Sequence, residues 1–263
     1  METFINIALL GTFIGFVVHD AVRPARSFPK TRLWKLKGLT FTALHLTVAT
    51  LLPLVWNDWL GEHRIFDLTS MGIAAGTVVA LLIAQFGGYW WHRALHTSPT
   101  LWRMHQMHHS PERVDSYGAL YHHPIDAAGF AFVGSLFLVW VVGLPAESVI
   151  IASAIQIVLV LFGHLNARTP AWLGYFVQRP ENHGLHHARG VHRYNYGDMA
   201  LWDQVFGTWR NPETWEGEGG FYDGASSRMG EILVGLDVSE PRGAAATVAR
   251  SPEASATALT HAA

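Results

Sequence analysis

Five stretches of this chain are apolar for long enough to cross a bilayer, and the sequence between them turns abruptly polar and histidine-rich. Residues 3–18 (TFINIALLGTFIGFVV) hold no ionisable side chain. With their flanks they reach the roughly 20 residues that span a ~30 Å hydrocarbon core. Residues 39–56, 71–91, 127–143 and 146–165 repeat the pattern, with 127–143 the shortest. Only Gly143, Leu144 and Pro145 separate the last two, as in a tight turn between antiparallel helices. The first stretch follows Glu2 rather than a basic residue, and no small-x-small cleavage site precedes His19, so it reads as an uncleaved span rather than a signal peptide. The expected fold is all-α: an integral membrane helical bundle of four to five spans with a cytoplasmic helical cap.

Orientation follows from the basic residues. Arg23, Arg26, Lys30, Arg32, Lys35 and Lys37 follow the first span, six of the 18 Lys and Arg in the chain, whereas the connection 57–70 carries Arg64 alone. The 19–38 loop is therefore expected in the cytoplasm. Counting forward, 92–126 and 166–263 face the same side, and these two segments contain the histidine-rich sequence. From about 223 the chain is rich in Ala, Ser, Thr, Gly and Pro, which predicts a membrane-embedded domain over 1–222 and a disordered tail over 223–263.

Composition narrows the chemistry. Half of the 263 residues are hydrophobic and 14% are charged, against about a quarter charged in soluble domains. The net charge of -2 offers no cationic field for nucleic acid. The absence of cysteine excludes disulfides, thiolate zinc sites, iron–sulfur clusters and a cysteine nucleophile. What remains conspicuous is 16 histidines. They cluster as His92 and His96 in HRALH, His105, His108 and His109 in HQMHH, and His183, His186 and His187 in HGLHH. At this histidine frequency an HxxHH pattern is expected roughly 0.06 times by chance, and it occurs twice. Spacings of three and four place each set on one helix face, so that one metal takes two or three ligands from a single turn. Eight imidazoles exceed what one ion accepts, which implies two metals. Zinc, copper, iron and nickel all accept imidazole, so the spacing does not choose among them. Histidines that merely solvate a membrane surface would not give two copies of HxxHH plus an HxxxH on one side of the bilayer.

The runs YWWHRALHTSPTLWRMHQMHHS, FGHLN and RPENHGLHHARGVHRYNYGDMALWDQVFGTW resemble the fatty acid hydroxylase and sterol desaturase superfamily of integral membrane, non-heme di-iron enzymes, over about residues 72–210. The resemblance includes residues around the histidines: Leu101-Trp102, Ser110, Asn195-Tyr196-Gly197, Trp202-Asp203 and Phe206-Gly207-Thr208. It implies that His92, His96, His105, His108, His109, His183, His186 and His187 hold two iron ions, and that His164 supplies a ninth ligand. Two positions depart from the family pattern. Gln85 stands about where an acidic residue often precedes the first box, and His123-Pro124-Ile125-Asp126 carries Asp where Glu is commoner.

Other residues admit two readings each. Asp126 either accepts the second N–H of a ligand imidazole, as metal-bound histidines usually require, or caps the helix beginning at 127. Asp203 either supports the site in the same way or is solvated. Asn195 and Tyr196 either close a loop over the site or form an ordinary turn. His123 is either a ligand or packed before Pro124. His45, in the second span, reads as a helix–helix contact. His19, His63, His122, His192 and His261 read as interfacial, neighbouring or tail residues. Trp90, Trp91, Trp102, Trp172, Trp202 and Trp209 fit an aromatic belt.

The resemblance implies an oxygenase that hydroxylates or desaturates an unactivated C–H position of a lipid, such as a sterol or fatty acyl chain, using O2. No dinucleotide fingerprint or haem module is present, so electrons are expected from a separate redox partner. Two other classes compete. A membrane metal carrier or sensor would stack ionisable residues through the middle of several spans, where only His45 and His164 qualify. A membrane cytochrome would need facing axial histidines within the bilayer. With no C-terminal retention signal, a bacterial inner membrane is the expected location.

Overall fold

The computed structural model describes residues 1–242. Five of its helices are long and apolar enough to cross a membrane: α1 (Glu2–Val22), α2 (Trp34–Leu51, extended by a 3-10 turn to Val55), α4 (Ile73–Thr97), α6 (Pro124–Ser135, extended by π-type turns to Val141) and α7 (Ala146–Gly163). Shorter helices connect or cover them: α3 (Asn57–Glu62), α5 (Pro99–His109), α8 (Pro180–His186), α9 (Ala200–Val205) and α10 (Met229–Leu233). No strand occurs among the described residues, only two isolated bridges. The all-α expectation holds. α1 packs on α7, α2 on α6, and α4 lies against α5, α6 and α7.

Local sequence sets the joints that matter. α4 runs without a break from the apolar span into HRALH, so the bilayer-crossing segment and the first histidine pair share one rigid body. It ends at Ser98, which is extended (φ -99, ψ 119) because the following Pro99 disfavours the helical conformation. Ser98 then serves α5 as N-cap, its side chain accepting from Leu101 N, with Pro99 in the first turn. One residue thus turns the chain from span to cap. His123 does the same for α6: it is extended before Pro124, and its Nδ1 accepts from Ile125 N at 3.1 Å. At the far end of α6 the π-type turns free carbonyls that the loop before α4 occupies, with Ile65 N on Trp140 O (2.8 Å) and Phe66 N on Val141 O (3.0 Å). Gly143 closes the α6–α7 turn with φ +60, and a Cβ there would meet Phe66 O at 2.6 Å.

The tail expectation is corrected over 223–242. Ile232 and Val238 are fully buried against Met107, Tyr121, Trp34 and Phe41. Gln106 fastens the segment by donating to Leu236 O (2.7 Å) and accepting from Val238 N (2.8 Å). Glu112 accepts from Gly224 N, Ser226 N and the Ser226 hydroxyl. A few apolar anchors suffice to dock a segment whose average composition reads as unstructured, so the folded unit extends past residue 222. The remainder, 243–263 with His261, lies outside the described residues.

Candidate metal centre

The nine histidines singled out by sequence converge as two adjoining groups. His92, His96, His105, His109 and His186 form one, and His108, His164, His183 and His187 the other; within each, one ring nitrogen per residue lies within 4.8 Å of all the rest. All but His92 and His96, which are partly exposed, are buried. Each HxxHH is divided between the two groups. Residues four apart share a group (92/96, 105/109, 183/187), whereas His108 and His186 point to the other one. Each helical residue turns ~100° from its neighbour, so His108 cannot face the way His109 faces. α5 and α8 therefore each bridge both groups, and the His109 and His187 rings stack across the boundary at 4.1 Å and 19°.

Hydrogen bonds fix the ring tautomers. His92 Nδ1 donates to Tyr196 O (2.7 Å), His105 Nδ1 to Asp126 Oδ2 (2.8 Å) and His186 Nδ1 to Tyr194 O (2.7 Å). In the second group His164 Nδ1 donates to Val160 O (2.9 Å) and His183 Nδ1 to Gln178 Oε1. With Nδ1 carrying the proton, Nε2 presents a bare lone pair. Such lone pairs face one another: His92 and His105 Nε2 are 3.1 Å apart, and so are His164 and His183 Nε2. His187 Nε2 lies 3.0 Å from His183 Nε2, and the buried His186 Nε2 and His109 Nε2 have no hydrogen-bond partner among the described residues. Opposed lone pairs at this distance repel unless a cation sits among them, so the donor sets fit metal ions. Burial, and then the proximity of the other rings, holds His105, His108, His109, His183, His186 and His187 well below the ordinary imidazole value of 6.5, neutral as ligands must be.

Asp126 accepts from His105 Nδ1 rather than capping α6; the cap of that helix is His123. His123 turns its Nε2 toward Leu233 O at 3.4 Å, away from both groups. Asp203 acts one step further out than expected. Its carboxylate accepts from Tyr196 N (2.8 Å), Gly197 N (2.7 Å) and the Thr208 hydroxyl (2.6 Å), clamping the loop whose carbonyls hold His92 and His186. Asn195 braces the same loop, donating to Asn182 O (3.0 Å) and accepting from Arg210 N (2.8 Å). His192, Tyr194 and Asn195 have φ of 41, 67 and 49, a costly backbone that turns the Tyr194 and Tyr196 carbonyls toward the imidazoles.

Sequence reasoning missed Gln178, which holds His183 and also donates to Asn195 O and to Gly197 O. It also missed two flanking imidazoles. His122 stacks on His108 (4.3 Å, 15°) beside His105 and Asp126, and His192 Nδ1 lies 3.2 Å from His109 Nδ1. The position of His122, immediately before the HPxD run, was the available signal. His45 meets His122, with ring centroids 4.9 Å apart, rather than another span.

A cavity of about 480 Å3 leads from the histidines down between α2, α4, α6 and α7. His92, His108, His164 and His183 line its upper end, while Leu54, Leu138 and Val149 line the other. A bundle of apolar helices, two adjoining imidazole groups able to hold metal ions and a largely apolar cavity that reaches them are the features of a membrane-embedded protein with a candidate metal centre. The fatty acid hydroxylase family model matches residues 77–208, half of the chain, and the chain belongs to that family. It is similar to an ornithine lipid hydroxylase of Rhizobium tropici (31% identity over 65% of this chain and 51% of that protein) and to human lathosterol oxidase (30% over 62% and 53%). A sphinganine C4-monooxygenase of Arabidopsis thaliana is 23% identical over 76% of this chain and 79% of its own length. The chain thus matches about half the length of the first and second of these proteins. No solved structure matches it.

Proposed function

We propose that this chain is an integral membrane oxygenase that holds two iron ions and hydroxylates, or desaturates, an unactivated C–H position of a lipid such as a sterol or fatty acyl chain. The observation that carries the reading is the pair of imidazole groups, with bare nitrogens opposed, at the head of a cavity that descends among the spans. His92, His96, His105, His109 and His186 would hold one ion, and His108, His164, His183 and His187 the other. When bound, the iron pair supplies the chemistry of dioxygen and C–H oxidation. The protein's part is to keep nine imidazoles neutral and aimed, to exclude water, and to bring one carbon to the upper end of the cavity. Asp126, Gln178 and the Tyr194 and Tyr196 carbonyls do the aiming. The family and its lipid-oxidising relatives support a lipid substrate, with electrons from a separate redox partner. The basic 19–38 loop supports a cytoplasmic site, and a bacterial inner membrane is the host proposed. A non-catalytic metal carrier would have no use for a largely apolar cavity that reaches from the spans to the imidazoles.

The test compares the lipids of aerobic cells expressing wild type and His108→Ala. A product present only with wild type, heavier by one oxygen atom or lighter by two hydrogens, is expected. The purified chain should hold about two irons and no haem. Identical lipids together with a metal-free purified protein would overturn the reading.

A further inference from the structure

Below the histidines, one wall of the cavity is polar. Gln85 on α4, Gln156 on α7 and Asp198 in the loop after Gly197 all line it. Polar groups at such depth need a reason. Gln85 has one: its Oε1 accepts from Asp198 N and Met199 N, both at 3.0 Å, satisfying irregular backbone that reaches into the cavity. Its amide then donates to Asp198 Oδ2 at 3.2 Å. A carboxylate at 85 could not accept from the backbone and donate to Asp198 together, which accounts for the amide at this position.

Asp198 has no such reason. Its carboxylate serves no backbone N–H and forms no ion pair among the described residues; it caps nothing, since α9 begins after Met199 without a side-chain cap. The Gln85 amide and the neighbouring Gln156 amide are what it meets. Burial pushes its carboxyl up to about 6. Only Gly197 separates it from Tyr196, whose carbonyl accepts from His92 Nδ1, so chain reach keeps Asp198 within about 10 Å of that imidazole. An acceptor with spare capacity, facing an apolar cavity beside the metal ligands, is suited to a hydrogen-bond donor on whatever fills the cavity.

We propose that Asp198, held by Gln85 and flanked by Gln156, anchors an O–H or N–H group of the lipid substrate, so that the carbon oxidised lies a few bonds from that donor. This rests on the cavity being the substrate site of the proposed function. A bare hydrocarbon chain would leave the carboxylate without a partner, whereas a lipid bearing a hydroxyl or amide close to the reacting carbon would satisfy it.

The test uses the purified full-length, metal-loaded protein in detergent and two probes of equal chain length, octadecan-1-ol and its methyl ether, competing for the cavity by native mass spectrometry. Wild type is expected to favour the alcohol at least about tenfold, the scale of one hydrogen bond to a charged group. Asp198→Asn keeps an oxygen for Gln85 but turns an amide N–H toward the cavity, and should abolish the preference with metal content unchanged. Gln156→Leu leaves the loop untouched and should weaken binding of the alcohol severalfold, not of the ether. Equal binding by wild type overturns the proposal, as does a preference that survives Asp198→Asn. If Asp198→Asn loses its metal, an unchanged alcohol preference in Gln156→Leu overturns it instead. The measurement needs no turnover. Lipid oxidation without the preference removes this inference alone, and the preference without oxidation removes the oxygenase reading alone.

Discussion

The five-histidine and four-histidine groups draw on the same two cap helices but are supported in different ways. The first leans on a buried carboxylate, Asp126, and on a loop with three non-glycine residues at positive φ. The second leans on neutral groups, the Gln178 amide and the Val160 carbonyl inside α7. A carboxylate makes its imidazole a stronger electron donor than an amide or a carbonyl does. Two centres built from one residue type are thereby made unequal by their surroundings, and the inequality is open to measurement.

The largest effects should come from the residues that cross between groups. His186→Ala removes a ligand from the first group only and His108→Ala from the second only, so each should abolish turnover and lower bound metal from two toward one per chain, read by elemental analysis. Loss of both metals from either variant would show that the groups are not separable. Next is Asp126→Asn, which keeps the shape but not the charge; metal affinity or activity of the first group should fall by about 10–100-fold. Gln178→Ala should cost the second group about tenfold, and because Gln178 also ties the Asn195 and Gly197 carbonyls, some of that loss should appear in the first.

Acid should act on both groups alike. The buried imidazoles titrate below their ordinary value, so below about pH 6.5 the unfolded chain binds more protons than the folded one and stability falls as pH falls. The metal-free protein should therefore unfold more easily at pH 5 than at pH 7, by roughly the same amount in either single-histidine variant. Ile232→Ala should have the smallest effect on the centre itself. It opens a cavity under α5 at about 2–5 kcal/mol, seen in thermal unfolding, while the metal content of the folded fraction stays at two.

All five spans were legible in the sequence because lipid-facing helices need continuous apolar runs, and eight of the nine histidines were legible because their spacing repeats, with His164 legible through the family resemblance alone. The division of each HxxHH was not, since it depends on how α5 and α8 face each other. The carbonyls of Tyr194, Tyr196 and Val160 leave no trace in a sequence, because every residue has one. Asp203 was legible as important but not in its role, which is to hold backbone rather than imidazole. The segment 223–242 was misread because docking rests on a few positions such as Ile232 and Val238, whereas composition averages over all of them.

The continuity of α4 ties the centre to the thickness of the membrane. At 25 residues α4 is about 37 Å long, more than the ~30 Å hydrocarbon layer it crosses. The excess is the HRALH end, so His92 and His96 ride on the same rod as the span while His164 rides on another. A change in bilayer thickness that tilted the two rods differently would alter the alignment of the imidazoles. On the proposed function the membrane is then both the store of substrate and a mechanical setting of the site.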